Sequence, residues 1–157
     1  MEFLLFLTAK EKEIVDLIYK AGFSIEENTP LCLLGKKYVG FTKKKQRVVV
    51  ICTDNIKAYY RYPISNLTSN SARRNSNIGI SIRKAVRHEA THVAQDCNDS
   101  KLLGIVKSKG KIHYWYKRNA IKRSTSIGKI KEEREEEAYY MEDRPKKLIS
   151  ALKKYCL

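Results

Sequence analysis

A chain of 157 residues with 43% hydrophobic and 31% charged residues fits one domain, 1–157, with enough length to bury a core. That balance excludes a disordered chain, and no stretch approaches the roughly 20 consecutive apolar residues of a membrane span. With 32 Lys+Arg against 17 Asp+Glu, the net charge of +15 favours anionic partners and carries no information about fold.

The opening run Phe3–Leu7 is short, and Glu2 stands where a signal peptide would carry Lys or Arg. The expected location is therefore cytoplasmic, and the N-x-[ST] triplets at Asn66 and Asn98 are not read as glycosylation sites. Cys32, Cys52, Cys97 and Cys156 are far apart and form no C-x-x-C pair, so the expectation is four free, buried thiols.

Thr8-Ala9-Lys10-Glu11 has capping-box spacing, and Ile14, Val15, Leu17, Ile18 and Ala21 then recur at helical intervals. The spacing predicts a helix over about 8–21, closed by Gly22. Tyr38–Phe41 and Val48–Cys52 read as two strands of a hairpin with a basic tip, Thr42–Gln46. Thr53–Asn55 reads as a turn and Lys57–Tyr62 as a further strand, before a long Ser/Asn/Arg-rich loop over 65–77.

Ile80–Cys97 is the central helix, with Ile82, Val86, Ala90, Val93 and Cys97 forming one apolar stripe. Leu102–Val106 and Ile112–Tyr116 suggest a second basic-tipped hairpin. Lys131–Glu142 is strongly helix-forming and ends before Pro145, after which Leu148, Ile149 and Leu152 mark a short amphipathic helix.

The chemistry lies in Arg87-His88-Glu89-Ala90-Thr91-His92. Histidines at i and i+4 stack one turn apart on one helical face and can reach one ion. The apolar stripe of the same helix points elsewhere, which leaves that face free. Glu89 turns to the side, where it reaches a water beside the ion without occupying a ligand position, as a general base requires. Catalytic zinc sites usually take three protein ligands. From the residues alone, the third is either His113 or a member of the acidic run Glu132–Glu142.

H-E-x-x-H followed some tens of residues later by E-x-x-A, here Glu135-Glu136-Glu137-Ala138, resembles the gluzincin zinc metallopeptidases, most closely the minimal members called minigluzincins. The resemblance covers the two helices, about 30 residues. It implies His88, His92 and Glu135 as ligands of one Zn2+, with Glu136 as the next register, Glu89 as base, and Ala138 letting the second helix pack beside the first. Many members carry Asp after the small residue to orient a ligand histidine. This chain has Tyr139 there, so Tyr139 substitutes as a hydrogen-bonding group, or Asp54 or Asp96 supplies the carboxylate. His113 is a candidate transition-state donor, with Tyr114, Tyr116, Tyr139 and Tyr140 as competitors.

The expected fold is α+β, with a small antiparallel sheet over about 37–62 packed on the H-E-x-x-H helix and a C-terminal helix carrying the third ligand. The expected function is a zinc-dependent peptidase acting on a peptide or protein. Between Asp99 and Glu132 there are many Lys and Arg and no acidic residue, interleaved with Tyr114-Trp115-Tyr116. This suggests weak, salt-sensitive association with nucleic acid and a second reading, a regulatory protease-like protein recruited through its basic surface. A non-catalytic zinc module is the third, and the intact Glu89 argues against it.

Overall fold

The computed structural model describes residues 1–35, 37–61, 71–104 and 132–157. Among them are five α-helices: α1 (Ala9–Lys20), α2 (Thr53–Arg61), α3 (Ser71–Cys97), α4 (Glu132–Met141) and α5 (Pro145–Cys156). Three short strands, β1 (Ser24–Glu27), β2 (Gly40–Lys43) and β3 (Val48–Ile51), form one sheet in the order β1-β3-β2.

α1 begins as its sequence requires. The Glu11 carboxylate accepts the Thr8 backbone N–H at 3.1 Å, closing the capping box. Ile14, Val15, Leu17 and Ile18 are buried on one face. Gly22, at φ 77°, ends the helix; Phe23 N–H returns to Ile18 O (3.1 Å) and Gly22 N–H to Tyr19 O (2.9 Å), the two bonds of a Schellman motif. Arg47, at the far end of the β2–β3 hairpin, closes the same helix end by donating from Nε to Gly22 O (3.1 Å) and from its terminal nitrogen to Ala21 O. A cation at that end also complements the helix dipole.

The sheet is mixed rather than antiparallel. β2 and β3 form the expected hairpin, with Phe41 opposite Val50, but β1 runs parallel to β3, with Ile25 opposite Val49. β3 is Val-Val-Val-Ile, buried throughout, as a central strand of branched apolar residues should be. β1 is Ser-Ile-Glu-Glu and carries one apolar residue, so its sequence holds no strand periodicity.

Two further expectations are corrected. Thr53–Arg61 is a helix, not a turn and a strand. Ile56 N–H bonds to Cys52 O (3.2 Å) and Asp54 N–H to Asn28 Oδ1 (3.0 Å), so the polar Thr-Asp-Asn run is a helix start with a cap borrowed from a neighbouring loop. Ile56 and Tyr60, one turn apart, face the core, and Tyr60 Oη lies 2.8 Å from Ser81 Oγ on α3. The helix α3 also starts earlier than expected, at Ser71, so 71–77 of the presumed loop is helical; 65–70 lies outside the described residues.

α3 is the centre of the molecule. It packs against α1, α2, α4, α5, β2 and β3, with Ile78, Ile82, Val86, Ala90 and Val93 in the main core. α5 buries Leu148, Ala151 and Leu152 against it. The cysteines are not free thiols. Cys32 pairs with Cys52, joining the 3-10 turn Pro30–Leu34 to the end of β3, and Cys97 pairs with Cys156, joining the ends of α3 and α5. The second hairpin lies, from residue 105 onward, outside the described residues. No helix among the described residues is long and apolar enough to cross a membrane.

Candidate metal centre

His88 and His92 stand on α3 away from its apolar stripe, Glu89 is turned to the side, and all three are buried. α4 lies across that face. Ala138 on α4 is fully buried, and Glu135, one turn before it, reaches both histidines. Glu135 Oε2 is 3.3 Å from His88 Nε2, and Oε1 is 3.1 Å from His92 Nε2. One ligand atom from each of the three residues lies within 4.8 Å of the others. Glu136, the alternative register, is half-buried and not part of this group.

The histidines are oriented from behind. His88 Nδ1 is 3.2 Å from Glu142 Oε1, and an ionised carboxylate only accepts, so Nδ1 carries the proton and Nε2 faces Glu135. His92 Nδ1 lies 2.9 Å from Gln95 Oε1. The His88 ring also meets Tyr139 edge to face, with centroids 4.6 Å apart. The orienting carboxylate thus comes from Glu142 and not from Asp54 or Asp96. Asp54 opens α2, and Asp96 accepts from Arg134 at 2.8 Å.

Two imidazole Nε2 atoms pointing at one carboxylate require positive charge between them. Without a metal ion, a proton on His88 provides it. Burial works against a charged His88, but its hydrogen bonds to Glu135 and Glu142 outweigh burial and raise its pKa to about 10. Burial likewise pushes Glu135 up, yet the bonds from His88 and His92 prevail and hold it well below the usual carboxylate range. A divalent cation supplies the same charge and releases the proton. The donor set suits one: two imidazoles and a carboxylate are zinc ligands at about 2.0–2.2 Å, and a tetrahedron of that radius has edges of about 3.4 Å. The 3.1 and 3.3 Å separations fit that edge.

Glu89 sits beside this group. Thr42 Oγ1 on β2 donates to its Oε2 at 3.0 Å and lies 3.2 Å from its backbone oxygen. Burial raises the pKa of Glu89, opposed by the histidine charges and by the Thr42 bond. Gly40, also on β2, lies so near that a Cβ there would be 3.0 Å from Glu89 Cγ. The site opens into a cleft of about 420 Å³, whose walls include Leu31, Leu34, Tyr38 and Phe41.

Of the residues singled out in the sequence, His88, Glu89, His92, Glu135 and Tyr139 converge, while His113 lies outside the described residues. Thr42, Gly40 and Gln95 were missed, and Glu142 was read only as one possible third ligand. Two of them carry a spacing signal: Gln95 follows His92 by three residues and Glu142 follows Glu135 by seven, so each shares a helical face with a proposed ligand.

An α+β domain with a buried His-His-Glu group on two crossed helices is the class these features define. Over residues 3–157 the chain matches the family described as Domain of unknown function (DUF8637), and it belongs to that family. No curated protein and no solved structure matches it.

Proposed function

We propose that the chain is a zinc-dependent peptidase. The observation that carries this reading is the convergence of His88 Nε2, His92 Nε2 and the Glu135 carboxylate, with a second carboxylate, Glu89, alongside rather than among them. A structural zinc site closes with a fourth ligand and has no use for a neighbouring base. Bound zinc would lower the pKa of an attacking water towards about 7 and polarise the scissile carbonyl.

The chain's own residues supply the rest. Glu89 takes the proton from the attacking water and passes it to the leaving nitrogen, and its raised pKa suits a group that must hold that proton in transit. Thr42 keeps the Glu89 carboxylate turned towards the cleft. β2 is an edge strand beside the cleft, so an extended peptide can add to it through backbone hydrogen bonds, its side chains meeting the apolar wall at Leu31, Leu34 and Phe41.

The test is zinc stoichiometry and peptide hydrolysis measured on wild type, His88→Ala and Glu89→Gln. Wild type should bind one zinc per chain and cleave an apolar peptide. His88→Ala should lose the metal, and Glu89→Gln should keep it while activity falls at least a hundredfold, the scale of general-base removal. Unchanged turnover in Glu89→Gln excludes the mechanism, and absence of zinc from the wild type excludes the whole reading.

A further inference from the structure

Gln95 is fully buried, three residues beyond His92, and both ends of its amide are bonded. Its Nε2 is 2.9 Å from Glu137 Oε2 and 3.1 Å from the backbone oxygen of Arg134. Its Oε1 is 3.0 Å from Arg134 Nε and 2.9 Å from His92 Nδ1. The chemistry of these partners leaves one orientation. A carbonyl oxygen and a carboxylate only accept, so the NH2 group must face them, while a guanidinium only donates, so the oxygen must face it. The same oxygen faces His92, so His92 Nδ1 carries a hydrogen, and Nε2 is the nitrogen left for a ligand bond.

The other partners of this amide belong to the helix that carries Glu135. Arg134 and Glu137 flank Glu135 on α4, and Glu137 Oε2 is anchored in turn by the Leu103 backbone N–H at 2.9 Å. Arg134 is fixed further by Asp96 on α3 at 2.8 Å. One neutral amide therefore touches a histidine on α3 and, on α4, the residue before Glu135 and the residue two after it.

We infer that Gln95 is a positioning residue that fixes His92 as an Nε2 ligand and docks the helix carrying Glu135, so that one amide sets two of the three proposed ligands. This rests on the metal reading above and adds the coupling between the two helices. The interaction holds the site assembled because neither His92 nor the helix carrying Glu135 can move without breaking a bond to the same side chain. A carboxylate in place of Gln95 keeps the acceptor towards His92 but donates to Glu137 or Arg134 only when protonated. An aliphatic side chain keeps neither.

The experiment is zinc affinity by chelator competition, with ¹⁵N spectra of the histidine rings, for wild type, Gln95→Leu and Gln95→Glu. Loss of an orienting partner costs about 10–100-fold in metal affinity, and here two ligands share it. Gln95→Leu should therefore weaken zinc at least a hundredfold. It should also remove the single Nδ1-protonated pattern of His92 while leaving that of His88, which Glu142 orients independently. Gln95→Glu should lie between the two, because it keeps the acceptor towards His92 and loses the donor to Glu137 and to the Arg134 backbone oxygen. If Gln95→Leu does not fold, Gln95→Glu decides: an affinity within twofold of wild type, or tighter, overturns the inference, and a weaker one upholds it. Zinc binding by wild type with both variants and their ring spectra unchanged also overturns it and leaves the metal reading intact, whereas a wild type that binds no zinc overturns the metal reading itself.

Discussion

Gly40 marks the point where the sheet and the proposed base share space. A Cβ there would lie 2.9 Å from Val50 O and 3.0 Å from Glu89 Cγ, and the first of these is backbone that cannot swing away. Gly40→Ala must therefore displace β2 from β3, tilt Glu89, or both. Misplacement of a reacting group by about 1 Å costs up to about a hundredfold in rate. Gly40→Ala should lower kcat tenfold or more while zinc stoichiometry stays at the wild-type value, because the atoms nearest a Cβ there belong to Val50 and Glu89 and to none of the three proposed ligands; steady-state kinetics beside metal analysis check it, and unchanged kcat removes Gly40 from the site. The neighbourhood was only half legible in the sequence. His88, Glu89 and His92 announce themselves by spacing on one helix. Gly40 and Thr42 come from a strand 47–49 residues away, and nothing local in a Gly-Phe-Thr-Lys strand says that a buried carboxylate will sit against it.

At the scale of elements, the helices with strong start signals fall where the sequence puts them, and the weakly patterned ones do not. α1 has a capping box, a one-sided apolar face and a glycine stop, three local signals that agree. β1 and α2 are decided by partners. β1 has one apolar residue and is a strand because β3 offers it a parallel edge. α2 has a polar start that imitates a turn and is a helix because Asn28 caps it and Ile56 finds the core. Glu11 joins the local and the tertiary levels: it accepts Thr8 N–H, and its Oε1 lies 3.4 Å from Arg87 Nε on α3, one residue before His88. The two contributions separate by substitution. Glu11→Gln keeps an oxygen for the cap and loses the charge; Glu11→Ala loses both and leaves the half-buried Arg87 guanidinium without that carboxylate. A lost cap costs about 1 kcal/mol and breaking a buried ion pair up to about 3–5 kcal/mol. Urea denaturation should rank the midpoints wild type, Glu11→Gln, Glu11→Ala, with the gap between the last two giving the cap. Equal midpoints for both variants would show that the cap contributes nothing.

For the whole molecule, the disulfides are what sequence reading had furthest from the structure. Cysteines 20 and 59 residues apart carry no sign of proximity, and a chain of this length can bury a core without them, so free thiols were the natural expectation. The fold brings each pair together at the end of an element. Cys32–Cys52 fixes a 3-10 turn in which Cys32 is buried while Leu33 and Leu34 are largely exposed, and which supplies part of the cleft wall. Cys97–Cys156 holds the last turn of α5 to α3, five residues beyond His92, and closes a loop that contains all of α4. Loop-closure entropy assigns about 3 kcal/mol to the shorter link and about 4 kcal/mol to the longer. The functional order should be the reverse of that stability order. Replacing Cys97 and Cys156 by serine should lower the denaturation midpoint more, yet leave the native cleft in place, since α5 keeps Leu148, Ala151 and Leu152 in the core. Replacing Cys32 and Cys52 should cost less stability and weaken peptide binding, since the turn bearing Leu31 and Leu34 loses its anchor. Thiol titration of unreduced, denatured wild type should find no reactive cysteine. Four titratable thiols there, or a Cys32/Cys52 variant with unchanged KM, would sink this assignment of roles, because both bonds and their division of labour depend on the turn and α5 being held where the structure places them.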